Sequence, residues 1–184
     1  MIVIGITGTL GAGKGSIVAY LKTQGFRHYS VRDFLIEEIK KRGLPVNRDS
    51  MNTVGEDLRH HYGASFIIDE LYKKAEEGGG NAIIESVRTV GEVESLKNKN
   101  AFLIAVDADP RVRYERIVNR GSETDAVSYE KFIADEERES HAIDPARMNL
   151  RASIARADFV IGNDTTLENL HRKVDDVLAR LPSV

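Results

Sequence analysis

From Gly8 to Ser16 the chain reads Gly-Thr-Leu-Gly-Ala-Gly-Lys-Gly-Ser. The spacing G-x-x-x-x-G-K is that of a backbone cradle for phosphate. Gly8, Gly11, Gly13 and Gly15 let the chain turn tightly, so that amides between Gly8 and Ser16, including those of Thr9, Leu10 and Ala12, can point at phosphate oxygens. The start of a helix adds its positive dipole end, and the Lys14 ammonium reaches β- and γ-phosphates. At one position the pattern departs from the usual one. Gly15 stands where a Ser or Thr commonly ligates Mg²⁺, and the hydroxyl arrives one residue later, at Ser16. Ser16 is therefore a metal candidate, directly or through water.

An open parallel sheet binds ligands beyond the C-terminal ends of its strands, which directs attention to further residues. Glu85 ends an expected strand, where a carboxylate holds a water on Mg²⁺ or positions an acceptor. Arg88 follows at the expected start of a helix, where a cation opposes the helix dipole and points to an anionic partner. Asp33, after another strand, is either a first-turn acid or a general base, and Arg32 beside it can touch an anion. Arg113, Arg116 and Arg120 fall within about 60° of one another on one helix face. Their repulsion calls for compensation, from polyphosphate or from acids such as Asp109 and Glu115. Arg138, within Glu-Glu-Arg-Glu, closes over phosphates or pairs along its own helix. Arg59 precedes His60 and His61, which are adjacent and cannot share a helix face to hold a metal. No Ser/His/Asp arrangement is readable.

The elements that must carry these residues alternate. Strands are expected at Ile2–Thr7, Phe26–Ser30, Ala82–Glu85, Phe102–Asp107 and Phe159–Gly162. Phe26–Ser30 is the weaker of the five, and continuous runs such as Phe-Leu-Ile-Ala-Val from Phe102 suit strands covered on both faces. Helices are expected at Lys14–Gln24, Val31–Arg42, Asn52–His61, Phe66–Glu77, Thr89–Leu96, Arg111–Asn119, Tyr129–Ser140, Met148–Ala157 and Leu167–Leu181. Pro110 suits a first helical turn. The pattern predicts an α/β fold: five parallel strands flanked by helices, with right-handed crossovers. One domain spans 1–184, with a helical acceptor-binding insertion at 31–80 and a short lid-like segment at 121–141.

Composition bounds the function. The chain has 184 residues, 26 Lys plus Arg against 29 Asp plus Glu, and a formal charge of −3. That balance argues against general nucleic-acid binding. With no cysteine, a disulfide scaffold, a thiolate zinc site and a thiol nucleophile are excluded. No apolar run approaches about 18 residues, so no membrane span is expected. The start MIVIGITG leads directly into the glycine loop and does not read as a signal peptide, which leaves the cytoplasm as the expected location.

The loop resembles that of the adenylate kinases, which likewise have glycine after the lysine. Ser86-Val-Arg-Thr89 with Glu92 is similar to the Phe-Pro-Arg-Thr…Gln stretch of nucleoside monophosphate kinases, which implies that Arg88 binds the acceptor's phosphate. Val87 and Glu92 depart from that pattern. Tyr29–Asp33 resembles the segment before the acceptor-binding helix of that family, but Ile36 replaces its arginine, leaving the phosphate to Arg32, Arg59 or Arg88. Arg116-Ile-Val-Asn-Arg120 looks like the run that contacts ATP phosphates. Ala157-Asp-Phe-Val-Ile-Gly-Asn163 is similar to dephospho-coenzyme A kinases, which would set Asn163 by the adenine. The resemblance covers nearly the whole chain and implies a P-loop NTPase fold, ATP and Mg²⁺ as cofactors, and transfer of the γ-phosphate. The implied acceptor is a small phosphorylated molecule, a nucleoside or deoxynucleoside monophosphate. The alternatives are a hydroxyl acceptor, with Asp33 as base, and a regulatory NTPase without an acceptor. The oligomeric state is not readable.

Overall fold

The computed structural model describes residues 1–121, 127–140, 143–144 and 146–182. Five parallel strands form one sheet: β1 (Val3–Gly8), β2 (Arg27–Ser30), β3 (Ala82–Glu85), β4 (Phe102–Asp107) and β5 (Phe159–Gly162), in the order β2-β3-β1-β4-β5. Between and after them run α1 (Lys14–Thr23), α2 (Val31–Lys41), α3 (Arg48–Tyr62), α4 (Phe66–Gly78), α5 (Val90–Asn98), α6 (Pro110–Arg120), α7 (Tyr129–Ser140), α8 (Leu150–Ala155) and α9 (Leu167–Leu178). The expected α/β architecture is observed.

The central strand β1 is buried along its whole length. It pairs with β3 on one side and β4 on the other, Gly5 lying opposite both Ile84 and Leu103. Alternate residues feed two cores. Ile84 and Leu103 pack with α2 to α5 on one face, and Ile4, Ile6, Ile83 and Ile104 pack with α1 and α9 on the other. Each such aliphatic side chain contributes about 1.5–3 kcal/mol on full burial. Burial on both faces is the physical reason that these strands lack polar alternation.

Element ends show where local chemistry overrode periodicity. α3 begins at Arg48 rather than Asn52, because Asn47 caps it by accepting from the Ser50 amide. α5 begins at Val90, and Thr89 is its N-cap in a reciprocal box with Glu92. Arg88 therefore precedes the helix instead of lying in its first turn. α8 is shorter than expected, because Asn149 caps it late, and α9 stops at Leu178. Pro110 opens α6 as expected. Of the lid-like segment 121–141, residues 122–126 and 141 lie outside the described residues. Its helix α7 packs through buried Phe132 against Tyr114 of α6. Among the described residues no helix is long and apolar enough to cross a membrane.

Candidate nucleotide and acceptor site

The loop between β1 and α1 is held from outside by side chains. Asn163, just past β5, donates to the Ala12 carbonyl at 2.8 Å. Thr9 Oγ1 donates to Asp107 Oδ1 at the end of β4, 2.6 Å away. Arg113 Nη1 reaches the Leu10 carbonyl at 3.3 Å. The Lys14 ammonium lies across the loop and donates to the Gly8 and Thr9 carbonyls, both at 2.8 Å. With these carbonyls occupied, the Lys14 and Gly15 amides, which have no acceptor behind them in the first turn of α1, are the groups offered to an anion.

Two glycines make this path possible. Gly11 turns the loop with a φ of +80° and lies against the backbone of α6, where a Cβ would run into the Arg113 carbonyl. It therefore seats the loop on α6; its amide is not among the groups at the helix N-terminus. Gly13 is the joint into α1. Its φ of +103° is left-handed, and a Cβ there would overlap Asn163 Nδ2. At Gly15 a Cβ would meet open space. Gly13→Ala is therefore expected to cost about 1–3 kcal/mol and to weaken nucleotide binding, whereas Gly15→Ala leaves stability equal or higher. Thermal unfolding of the two variants, with and without nucleotide, checks this contrast.

The electrostatics favour an anion. Burial first, then the charge of Arg88 and, more weakly, those of Arg113 and Arg120, bring the Lys14 pKa down to about 7 against the opposing charge of Glu85. Glu85 ends β3 and accepts from His28 Nε2 at 3.0 Å when that nitrogen carries the proton. Burial pushes the Glu85 carboxyl upward, but the His28 hydrogen bond and the charges of His28, Lys14 and Arg88 leave it below its ordinary value. Arg116 Nη1 is buried without a hydrogen-bond partner. An orphaned guanidinium donor of this kind loses its full solvation unless an anion meets it.

Beside the loop lies a cavity of about 140 Å³, room for roughly five waters at liquid density. Gly8 and Leu10 form its loop side, and Arg32, Arg48, Arg59, Arg88 and Arg120 all line it. Ser86, also on its wall, holds φ +76°, and its amide and that of Val87 both donate to the Ile6 carbonyl. This strained step costs about 1–3 kcal/mol and sets the path of the chain into Arg88. Arg88 is held below its ordinary pKa chiefly by burial, with Arg48 and Arg59 adding to the effect and Glu139 partly offsetting it. Arg59 is buried against Glu92, with Nε 2.9 Å from Oε1. The other Glu92 oxygen accepts from the Arg88 and Thr89 amides.

Lys14, Arg59, Arg88 and Arg120 thus gather around the loop and one cavity. Other candidates stand apart. Asp33 is exposed, does not line the cavity and offers its backbone amide to Ser30 Oγ. Arg138 is exposed and pairs with Asp135 along its own helix at 3.2 Å. Asn163 spends its side-chain amide on the loop. The arginine stripe is compensated differently from the sequence expectation. Arg113, only 3% exposed, makes two bonds to Glu136 of α7, while Asp109 caps α6 and Glu115 is exposed.

Among the described residues no group of three His, Asp or Glu side chains could hold a metal alone. The Ser16 hydroxyl and the Glu85 carboxylate are oxygen donors of the kind Mg²⁺ takes when phosphates and waters complete its shell. Sequence reasoning missed Arg48, His28, Asp107 and Glu139. Asp107 was within reach of the strand-end rule. Arg48 was hidden by an expected helix start four residues too late.

Residues 4–144 match a family model described as an AAA domain. A UPF0200 protein of Pyrobaculum aerophilum is 30% identical across 97% of this chain and 98% of its own. The UPF0200 protein of Methanocaldococcus jannaschii is 32% identical across 98% and 91%. In fold the chain resembles TT1252 from Thermus thermophilus (TM-score 0.65, 21% identity, 99% and 98% coverage). It also resembles the shikimate kinase of Bacteroides thetaiotaomicron (TM-score 0.57, 14% identity, 97% and 98% coverage). At those identities the structural likeness speaks to a P-loop kinase-like fold alone. The sequence relatives extend over both chains almost end to end, and the domain match runs from β1 through α7, so the chain belongs to the UPF0200 family and is built on an AAA domain.

Proposed function

We propose that the chain is an ATP-dependent phosphotransferase that passes the γ-phosphate to a small phosphorylated acceptor, a nucleoside or deoxynucleoside monophosphate. The observation that carries this reading is the arginine-lined cavity that shares Gly8 and Leu10 with the phosphate loop. Phosphoryl transfer depends on positioning and on stabilising charge spread over the equatorial oxygens. Lys14 and the loop amides bind the β- and γ-phosphates, with Gly11 and Gly13 shaping the loop that presents them. Arg116, through its orphaned Nη1, and Arg120 meet the charge that grows in the transition state. Arg138 joins them only by leaving Asp135. Arg88 anchors the acceptor's phosphate, and Arg59 fixes the segment that carries Arg88. Ser16 and Glu85 would hold Mg²⁺ or its waters, and the metal would neutralise phosphate charge. Asn163 serves the nucleotide by fixing the loop.

A phosphate acceptor is already ionised at neutral pH and needs no base. A hydroxyl acceptor prefers a carboxylate base, and the exposure of Asp33 outside the cavity weighs against that route. Asp33→Asn is accordingly expected to keep turnover within about threefold; a loss of about a hundredfold supports the hydroxyl reading instead. The deciding assay is ATP consumption across a panel of nucleoside monophosphates and dephospho-coenzyme A. One monophosphate is expected to stimulate it and to appear as a diphosphate. Slow hydrolysis indifferent to every acceptor overturns the proposal in favour of a regulatory NTPase.

Nucleotide binding also carries a proton signature. With its pKa down at about 7, Lys14 is mostly neutral at pH 8, and an entering polyphosphate restores its charge. Binding at pH 8 is expected to take up as much as about one proton. The measurement is the binding enthalpy in buffers of different ionisation heat, and a buffer-independent enthalpy contradicts it.

A further inference from the structure

Two guanidinium groups converge on one carboxylate in the wall of the cavity. Glu139 Oε1 accepts from Arg48 Nη2 at 2.5 Å and from Arg48 Nε at 3.2 Å, and Oε2 lies 3.5 Å from Arg88 Nη1. The three residues come from different segments: the first turn of α3, the connection from β3 to α5, and the last turn of α7. All three line the cavity that touches the phosphate loop, and the Glu139 side chain is only 9% exposed. Neighbouring acids are engaged elsewhere. Glu92 serves Arg59, Glu136 serves Arg113, and Asp135, 3.9 Å from Arg48, is shared with Lys131 and Arg138. An oxyanion between two arginines is the geometry by which proteins bind phosphate monoesters. Here the oxyanion is the chain's own.

We propose that Arg48 completes, with Arg88, the seat for the acceptor's phosphate, and that Glu139 is a resident anion which that phosphate displaces. The identification of the ligand as the acceptor rests on the phosphotransferase reading; the seat itself does not. Glu139 also sets an affinity threshold. A carboxylate entering the seat replaces a carboxylate and gains little, whereas a phosphate dianion puts two charges where one stood. The site therefore selects phosphate monoesters and leaves singly charged acids unbound.

The test is calorimetric titration of the full chain at pH 8 with inorganic phosphate and, separately, with acetate. Glu139→Gln is expected to tighten phosphate by about tenfold or more and to bring acetate binding into the measurable range. Adding Arg48→Gln is expected to cancel that gain, and adding Lys14→Ala to preserve it, which separates this seat from the loop. Unchanged phosphate affinity in Glu139→Gln overturns the proposal, as does a gain that survives Arg48→Gln. If Glu139→Gln does not fold, Arg48→Gln alone decides: phosphate affinity falls about tenfold, or the seat is refuted. No ATP turnover enters the titration, so the acceptor panel and this experiment fail independently.

Discussion

Lys14→Ala is expected to lower acceptor-stimulated kcat/KM by about a hundredfold, the equivalent of about 2–3 kcal/mol of transition-state stabilisation. The same substitution is expected to leave the nucleotide-free fold at least as stable. Burial holds the ammonium's pKa at about 7 when folded, against an ordinary value of 10.5. The folded state thus binds the proton less tightly than the unfolded one. The cost is complete below about pH 7 and fades as pH rises towards 10.5. Removing the side chain relieves that cost, so the thermal midpoint of the variant is expected to lie at or above wild type near pH 6 and to converge with it near pH 10. Activity within threefold of wild type contradicts the role given to the loop. A large loss of stability contradicts the electrostatic account.

The largest structural effect is expected at Glu92. It is fully buried, pairs with Arg59 at 2.8 Å, and receives the amides of Arg88 and Thr89 on its other oxygen. Glu92→Leu leaves Arg59 buried without its counter-charge, beside the other arginines of the cavity, and removes the acceptor of two amides. Breaking a buried pair from one side costs about 3–5 kcal/mol, about 10 °C or more in midpoint for a chain of this size. Replacing both partners, Glu92→Leu with Arg59→Met, is expected to recover much of the loss, because no buried charge is then left uncompensated. Thermal unfolding of the single and double variants measures it; a single variant within 1 °C of wild type is incompatible with the pair as described. The double variant still lacks the acceptor for the Arg88 amide, so anion binding in the cavity is expected to remain weakened.

This pair also shows why part of the site escaped the sequence. Two residues depart here from the nucleoside monophosphate kinase pattern, Val87 and Glu92, the second standing in place of a glutamine. The change of charge has its reason 33 residues away in Arg59, a distance no local pattern spans. Local patterns did locate the phosphate loop, all five strands to within one residue at either end, and the strand-end acid Glu85, since these depend on turn chemistry and burial that neighbouring residues encode. Gly11 lies between the two cases: its turn is local, but the α6 backbone it rests against is not. The compensation of Arg113 by Glu136, and the meeting of Arg48 with Glu139, depend on how α7 docks against α6 and α3. Like-charged helix faces announce that a partner exists; they do not say which segment provides it. Asp33 and Arg138 illustrate the converse, being well placed in sequence yet exposed in space.

The strut from Asn163 to the Ala12 carbonyl has a bearing on where this unit can be cut. The AAA-domain match ends at residue 144, ahead of β5, α9 and the amide that steadies the loop. A fragment excised at that boundary would keep the nine-residue signature yet forfeit the far end of its scaffolding. The scaffold of the glycine loop accordingly runs past the familiar motif, to Asn163 beyond the final strand.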